Sequence, residues 1–176
     1  MDENTVLLSQ DETPIRAYQA LRAVWALKGH QKKIPTLGHH AQVTLFGTVD
    51  VQTGDVFCSS ADRCNAVTFL AFLKELVARY ADKSIVLILD NARIHHAKLL
   101  HPFLKQHRHR LFLLFLPPYS PELNPIEKLW RWLKDMVIVN RFHKNESEIR
   151  SSVSDFLTFI QSCPEKVLAR IGCLER

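Results

Sequence analysis

Two apolar runs, Ser84-Ile85-Val86-Leu87-Ile88-Leu89 and Leu111-Phe112-Leu113-Leu114-Phe115-Leu116, constrain the fold of this chain more than any other feature. Each is short and lacks the alternation of polar and apolar residues that marks a half-exposed strand. Such runs suit strands covered on both faces, in a sheet sandwiched between helices. Residues 97–106 between them read as a helix with Leu99, Leu100, Phe103 and Leu104 turned inward. Residues 5–10 read as another strand, and 84–89 is expected to be central and roughly parallel to it, with their carboxyl ends side by side.

The rest of the chain fits around this unit. Residues 17–37 are irregular, with Trp25 and the basic cluster Lys28, His30, Lys32 and Lys33, and read as a loop with a short strand. Gln42 to Val49 alternates as a strand; Gln52-Thr53-Gly54-Asp55 makes a turn, and Val56-Phe57-Cys58 returns as the hairpin partner. Asn65 can cap a helix reaching Tyr80, whose apolar face is Val67, Leu70, Phe72, Leu73, Leu76 and Val77. A helix from near Pro125 carries Ile126, Leu129, Leu133 and Val137 on one face. Helices at 146–162 and 164–171 follow, separated at Cys163-Pro164. The fold class is therefore α/β. A three-stranded antiparallel meander joins parallel strands in one mixed sheet, flanked by helices, with extra helices at the carboxyl end.

Three acids stand at the edges of these elements. Asp11 follows the first strand, Asp90 follows strand 84–89, and Glu127 opens the helix after the proline-rich segment. Hard divalent cations favour oxygen ligands, and three carboxylates from three elements can hold one or two such ions. Each acid also has a plainer local explanation. Asp11 can begin a turn with Glu12 and Pro14, and Asp90-Asn91 is a common turn pair. Glu127 falls at the third position of a capping box with Asn124 as N-cap and Pro125 first in the helix. His95 and His96 can be surface histidines, DNA contacts or metal ligands. Lys128, Arg131 and Lys134 share the flank of Glu127, either gripping phosphates or simply solvated. Trp130 and Trp132 suit packing, or stacking on a base.

Composition adds modest limits. Lys and Arg exceed Asp and Glu by 23 to 18, a balance that fits a polyanionic partner without requiring one. Cys58, Cys64, Cys163 and Cys173 form no Cys-x-x-Cys pair and read as free, largely buried thiols of a reducing cytoplasm. No apolar run approaches the ~20 residues of a membrane span, and the acidic start is no signal peptide. A cytoplasmic, nucleoid-associated protein is the expectation. No glycine-rich phosphate cradle or Gly-x-Ser-x-Gly nucleophile setting is present.

Leu116-Pro117-Pro118-Tyr119-Ser120-Pro121-Glu122-Leu123-Asn124-Pro125-Ile126-Glu127-Lys128-Leu129-Trp130 resembles the third signature of DDE transposases of the Tc/mariner superfamily, in its bacterial insertion-sequence branch. Ile88-Leu89-Asp90-Asn91-Ala92-Arg93-Ile94-His95 resembles the second signature, and Ser9-Gln10-Asp11-Glu12 the first. Trp25-Ala26-Leu27-Lys28-Gly29 also matches a segment of that branch. The resemblance implies a ribonuclease H-like fold and a catalytic and metal triad of Asp11, Asp90 and Glu127. It further implies two Mg2+ ions, with Mn2+ able to substitute, and DNA cleavage followed by strand transfer. Arg93, His95, Lys128, Arg131 and Lys134 are the candidate DNA contacts.

Family members carry helix-turn-helix domains ahead of the first Asp, whereas ten residues precede Asp11. A single catalytic domain over 1–176 without that module is expected. It would work as a homodimer or with a separate DNA-binding chain, or persist as a truncated remnant that only binds DNA or oligomerises. A related nuclease of the same fold is the other enzyme reading.

Overall fold

The computed structural model describes residues 4–17, 25–30, 41–118 and 120–173. Five strands, β1 (Thr5–Arg16), β2 (Gln42–Asp50), β3 (Val56–Ala61), β4 (Ser84–Leu89) and β5 (Leu111–Phe115), form one sheet in the order β3-β2-β1-β4-β5. β1, β2 and β3 form the antiparallel meander, and β4 and β5 add parallel to β1. The middle strand is β1, with β4 beside it rather than central. β1 also runs well beyond the expected 5–10, through Pro14 to Arg16. The Ala17 N–H bonds Ala41 and the Val51 N–H bonds Leu7, so odd-numbered residues of β1 carry the ladder bonds to β2. The nitrogen of Pro14 therefore faces the side that β4 has already left, and no ladder bond is lost.

Helices α1 (Ala66–Arg79), α2 (His101–His107), α3 (Ile126–Val137), α4 (Glu146–Gln161) and α5 (Pro164–Ile171) cover the sheet. On one face Leu8, Phe46, Ile85, Leu87 and Leu89 pack against Phe69, Phe72, Leu73 and Leu76 of α1. On the other, Ile15, Val43, Leu45 and Val49 meet Leu129, Trp130 and Leu133 of α3 and the apolar faces of α4 and α5. This second layer lies over β1 and β2 and stops short of β5. Phe112 and Leu114 are 49% and 54% exposed, so β5 is covered on one face only, contrary to its uninterrupted apolar sequence.

Local chemistry accounts for the ends. Asn65 accepts from the Val67 and Thr68 N–H groups while the Thr68 hydroxyl oxygen accepts from the Asn65 N–H, a reciprocal cap on α1. At the other end of α1, the Arg110 guanidinium donates to the carbonyls of Val77, Tyr80, Ala81 and Lys83. The expected helix 97–106 is shorter, preceded by 3₁₀ turns at Arg93–His96 and Lys98–Leu100. Pro102 suits a first helical turn, and Leu99 is exposed rather than inward. Residues 25–30 form no strand, and Trp25 is fully exposed. The remainder of the expected 17–37 loop lies outside the described residues, apart from Ala17 at its start. The cysteines are free, as expected, but Cys64 is exposed rather than buried.

Candidate active site

β4 leaves β1 after the Ser9–Ile88 pair. Two residues further along each chain stand Asp11, still paired to Gly47 of β2, and Asp90, just past the end of β4. The two acids are thus level at the mouth where the strands part. Alternation along β1 puts Asp11 on the α3 face and Glu12 on the α1 face. A cleft of about 430 Å³ opens here, lined by Asp11, Asp90 and Glu127 together with Asn91, Asn124 and the proline-rich loop.

Glu127 reaches the cleft through an anchor that the sequence reading missed. The capping-box reading places the Asn124 side chain on the helix, but in the structure it points into the sheet. Its Nδ2 donates to the Gln10 carbonyl at 2.9 Å, and its Oδ1 accepts from the Ser9 hydroxyl. The Ser9 oxygen in turn accepts from the Ile126 N–H at 3.2 Å. A serine from β1 thus fills the place of a helix cap, and α3 has no side-chain cap of its own. The available signal was two consecutive polar residues, Ser9 and Gln10, directly after the apolar run Val6-Leu7-Leu8; both are fully buried.

Asp90 is held from its own loop. Its Oδ1 accepts from the Ala92 N–H at 2.9 Å and lies 3.1 Å from His95 Nδ1. Asn91 donates to the Leu116 carbonyl and the Leu116 N–H bonds Leu89, so the segments after β4 and β5 are stitched together. Tyr119 lies outside the described residues.

The electrostatics mark the site. Burial raises the Asp11 carboxyl to about 7, and the charges of Glu127, Glu12 and Asp90 add to that shift. Among the described residues no three histidine, cysteine or acidic side chains close on one point as a metal cage. The cleft offers carboxylate oxygens with uncompensated repulsion, a donor set that fits hard divalent cations shared between pairs of acids. A measurable consequence follows for the metal-free protein. The unfolded chain releases the Asp11 proton near pH 4 while the folded one keeps it to about 7, so stability falls as pH rises through that window. The slope is at most about 1.4 kcal/mol per pH unit. Thermal melts at pH 5 and pH 8 should differ in that direction for the native chain and much less for Asp11→Asn. Added Mg2+ should restore the loss at pH 8.

The candidate DNA contacts divide. Arg93 and Arg131 are exposed and Lys134 is half-buried. The Lys128 ammonium donates to the Ile171 carbonyl at 2.8 Å and so closes the end of α5 instead of standing free for phosphate. His95 is 3% exposed with both ring nitrogens engaged within the protein, which removes it as a DNA contact. Burial lowers its pKa, but the hydrogen bond and charge of Glu12, with the carbonyl and charge of Asp90, outweigh this and leave it raised. Trp130 and Trp132 are buried packing residues.

The chain is 30% identical over 156 residues to the 39 kDa protein of insertion element IS630 from Shigella sonnei, covering 88% of this chain and 45% of that protein. It spans about half the length of the curated relatives it matches. Among solved structures it resembles the Mos1 transposase in a paired-end complex with the left transposon end. There the TM-score is 0.67 at 16% identity, over 95% of this chain and 54% of that one. The catalytic domain of Mos1 mariner transposase aligns over 97% of this chain and 84% of its own, with a TM-score of 0.60 at 17% identity. The fold is thus ribonuclease H-like, of the kind found in transposase and integrase catalytic domains. The family model described as DDE superfamily endonuclease matches residues 6–150, and the chain belongs to that family.

Proposed function

We propose that this chain is the catalytic domain of a transposase, cleaving DNA at transposon ends and joining the freed 3′-hydroxyl to target DNA. The observation that carries the reading is the convergence of Asp11, Asp90 and Glu127 on one open cleft, from β1, the end of β4 and the first turn of α3. Asp11, Asp90 and Glu127 are the residues that would hold divalent ions in this cleft. Mg2+, with Mn2+ as substitute, would supply there the activation of a hydroxyl nucleophile and the stabilisation of the leaving oxygen of the phosphodiester. The protein's own part is to hold the acids in place, with buried Trp130 packed against Gly47, the β2 partner of Asp11. Arg93 and Arg131 face solvent on the same two segments as Asp90 and Glu127 and serve as phosphate contacts. DNA is the partner, and the working assembly is a homodimer or a complex with a separate DNA-binding chain in the cytoplasm.

The test is nicking and strand transfer on DNA carrying the element's ends, with and without Mg2+, with any separate DNA-binding chain supplied. Metal-dependent nicking supports the proposal. Binding to DNA with no cleavage under any divalent ion would replace it with the remnant reading, and cleavage confined to RNA–DNA hybrids would replace it with the related nuclease.

A further inference from the structure

Glu12 stands next to Asp11, yet the pleat of β1 turns it to the opposite face of the sheet. There its Oε1 accepts from Gln10 Nε2 at 2.8 Å and from His95 Nε2 at 3.0 Å. The His95 side chain is 1% exposed and its ring lies 4.5 Å from that of Phe69, in the apolar layer under α1. Its other nitrogen, Nδ1, sits 3.1 Å from both the backbone carbonyl and the Oδ1 of Asp90. A continuous buried chain therefore runs from Gln10 through Glu12 and His95 to an exposed carboxylate at the cleft.

Burying polar groups in an apolar layer is costly unless each is bonded; Gln10 Nε2, Glu12 Oε1 and both His95 ring nitrogens have partners here, whereas Gln10 Oε1 has none. The Ala92 N–H donates to Asp90 Oδ1 at 2.9 Å, while His95 Nδ1, bonded to the Asp90 backbone carbonyl, stands 3.1 Å from the same Oδ1 and so holds the half-exposed carboxylate from behind. An exposed carboxylate otherwise loses rotamer freedom when it takes a ligand; one already held does not. Outer partners of metal ligands act in this way, fixing the ligand's orientation from behind.

We propose that His95, braced by Glu12, is the positioning residue that sets the Asp90 carboxylate for metal. The inference rests on Asp90 being a metal ligand, as proposed above. It also assigns a task to Glu12, an acid of the first signature that cannot face the cleft.

The test is Mn2+ affinity, measured on the chain alone by paramagnetic titration beside thermal melts. His95→Leu keeps volume and removes both hydrogen bonds; it should weaken Mn2+ binding about 10- to 100-fold. His95→Asn restores a donor at the Nδ1 position and should recover a clear part of that loss, although its melting temperature falls as much. Glu12→Gln preserves the packing but removes the charged brace and should lie between the native chain and His95→Leu; if His95→Leu does not fold, this variant carries the test. Unchanged affinity in His95→Leu or Glu12→Gln, or equal weakness in His95→Asn and His95→Leu, would overturn the proposal. Asp90→Asn separates the two readings. If it leaves Mn2+ affinity intact, Asp90 is not a ligand; if it abolishes binding while His95→Leu binds as tightly as the native chain, only the positioning role fails.

Discussion

Asp90→Asn should lower metal-dependent DNA cleavage by about 10³-fold or more, equivalent to roughly 4 kcal/mol of transition-state stabilisation, with the fold unchanged. The substitution preserves size, and an asparagine oxygen can still accept from the Ala92 N–H that Asp90 uses now. The side chain is 53% exposed, so little packing depends on it. Only the negative charge at the cleft is removed, and with it the affinity for a hard cation. Single-turnover nicking rates of both proteins, with melting temperatures agreeing within a few degrees, measure the effect. Asp62→Asn is the control, since Asp62 lies at the surface in an ion pair with Arg150 outside the cleft. Equal nicking by Asp90→Asn would end the metal assignment for this residue.

What the sequence made legible was the part written in local pattern. Strand 84–89, the helix from Asn65 and helix 164–171 follow from apolar periodicity, a reciprocal cap and a proline break, which act within a few residues. The three acids could be named because each sits where one such element meets the next. Pattern was mute where the deciding contact lies far along the chain. β1 continues through Pro14 because β4 has left that side, which nothing within residues 5–16 announces. β5 reads as doubly buried, yet it stands at the sheet edge beyond the reach of α3. His95 looked like a surface-loop residue because Glu12, its partner, is 83 positions away. The same holds for Asn124, whose local setting is a capping box and whose actual partners, Ser9 and Gln10, lie on β1.

That last difference gives the other large effect. Were Asn124 an N-cap, Asn124→Asp would be nearly neutral, because aspartate caps as well as asparagine. In the structure Asn124 is 3% exposed, donates to the Gln10 carbonyl and accepts from Ser9. Aspartate there loses the donor, faces a carbonyl oxygen and adds a buried charge beside Asp11. Asn124→Asp should therefore destabilise strongly, and Asn124→Ala, which only leaves the Gln10 and Ser9 groups unpaired, by about 2–3 kcal/mol. Ser9→Ala frees the Ile126 N–H as well, and a double-mutant cycle between positions 9 and 124 should yield a coupling of about 1–3 kcal/mol. Cleavage should suffer beyond stability. The latch fixes the first turn of α3 against β1, and Glu127 follows it by three residues. A displacement of about 1 Å at a catalytic group costs on the order of 10²-fold in rate. Measured below the melting temperature of Asn124→Ala, with the folded fraction confirmed, nicking should fall by about that factor. Loss of stability without loss of rate would mean that Glu127 finds its place without the latch. Tolerance of Asn124→Asp would restore the capping box and detach α3 from β1.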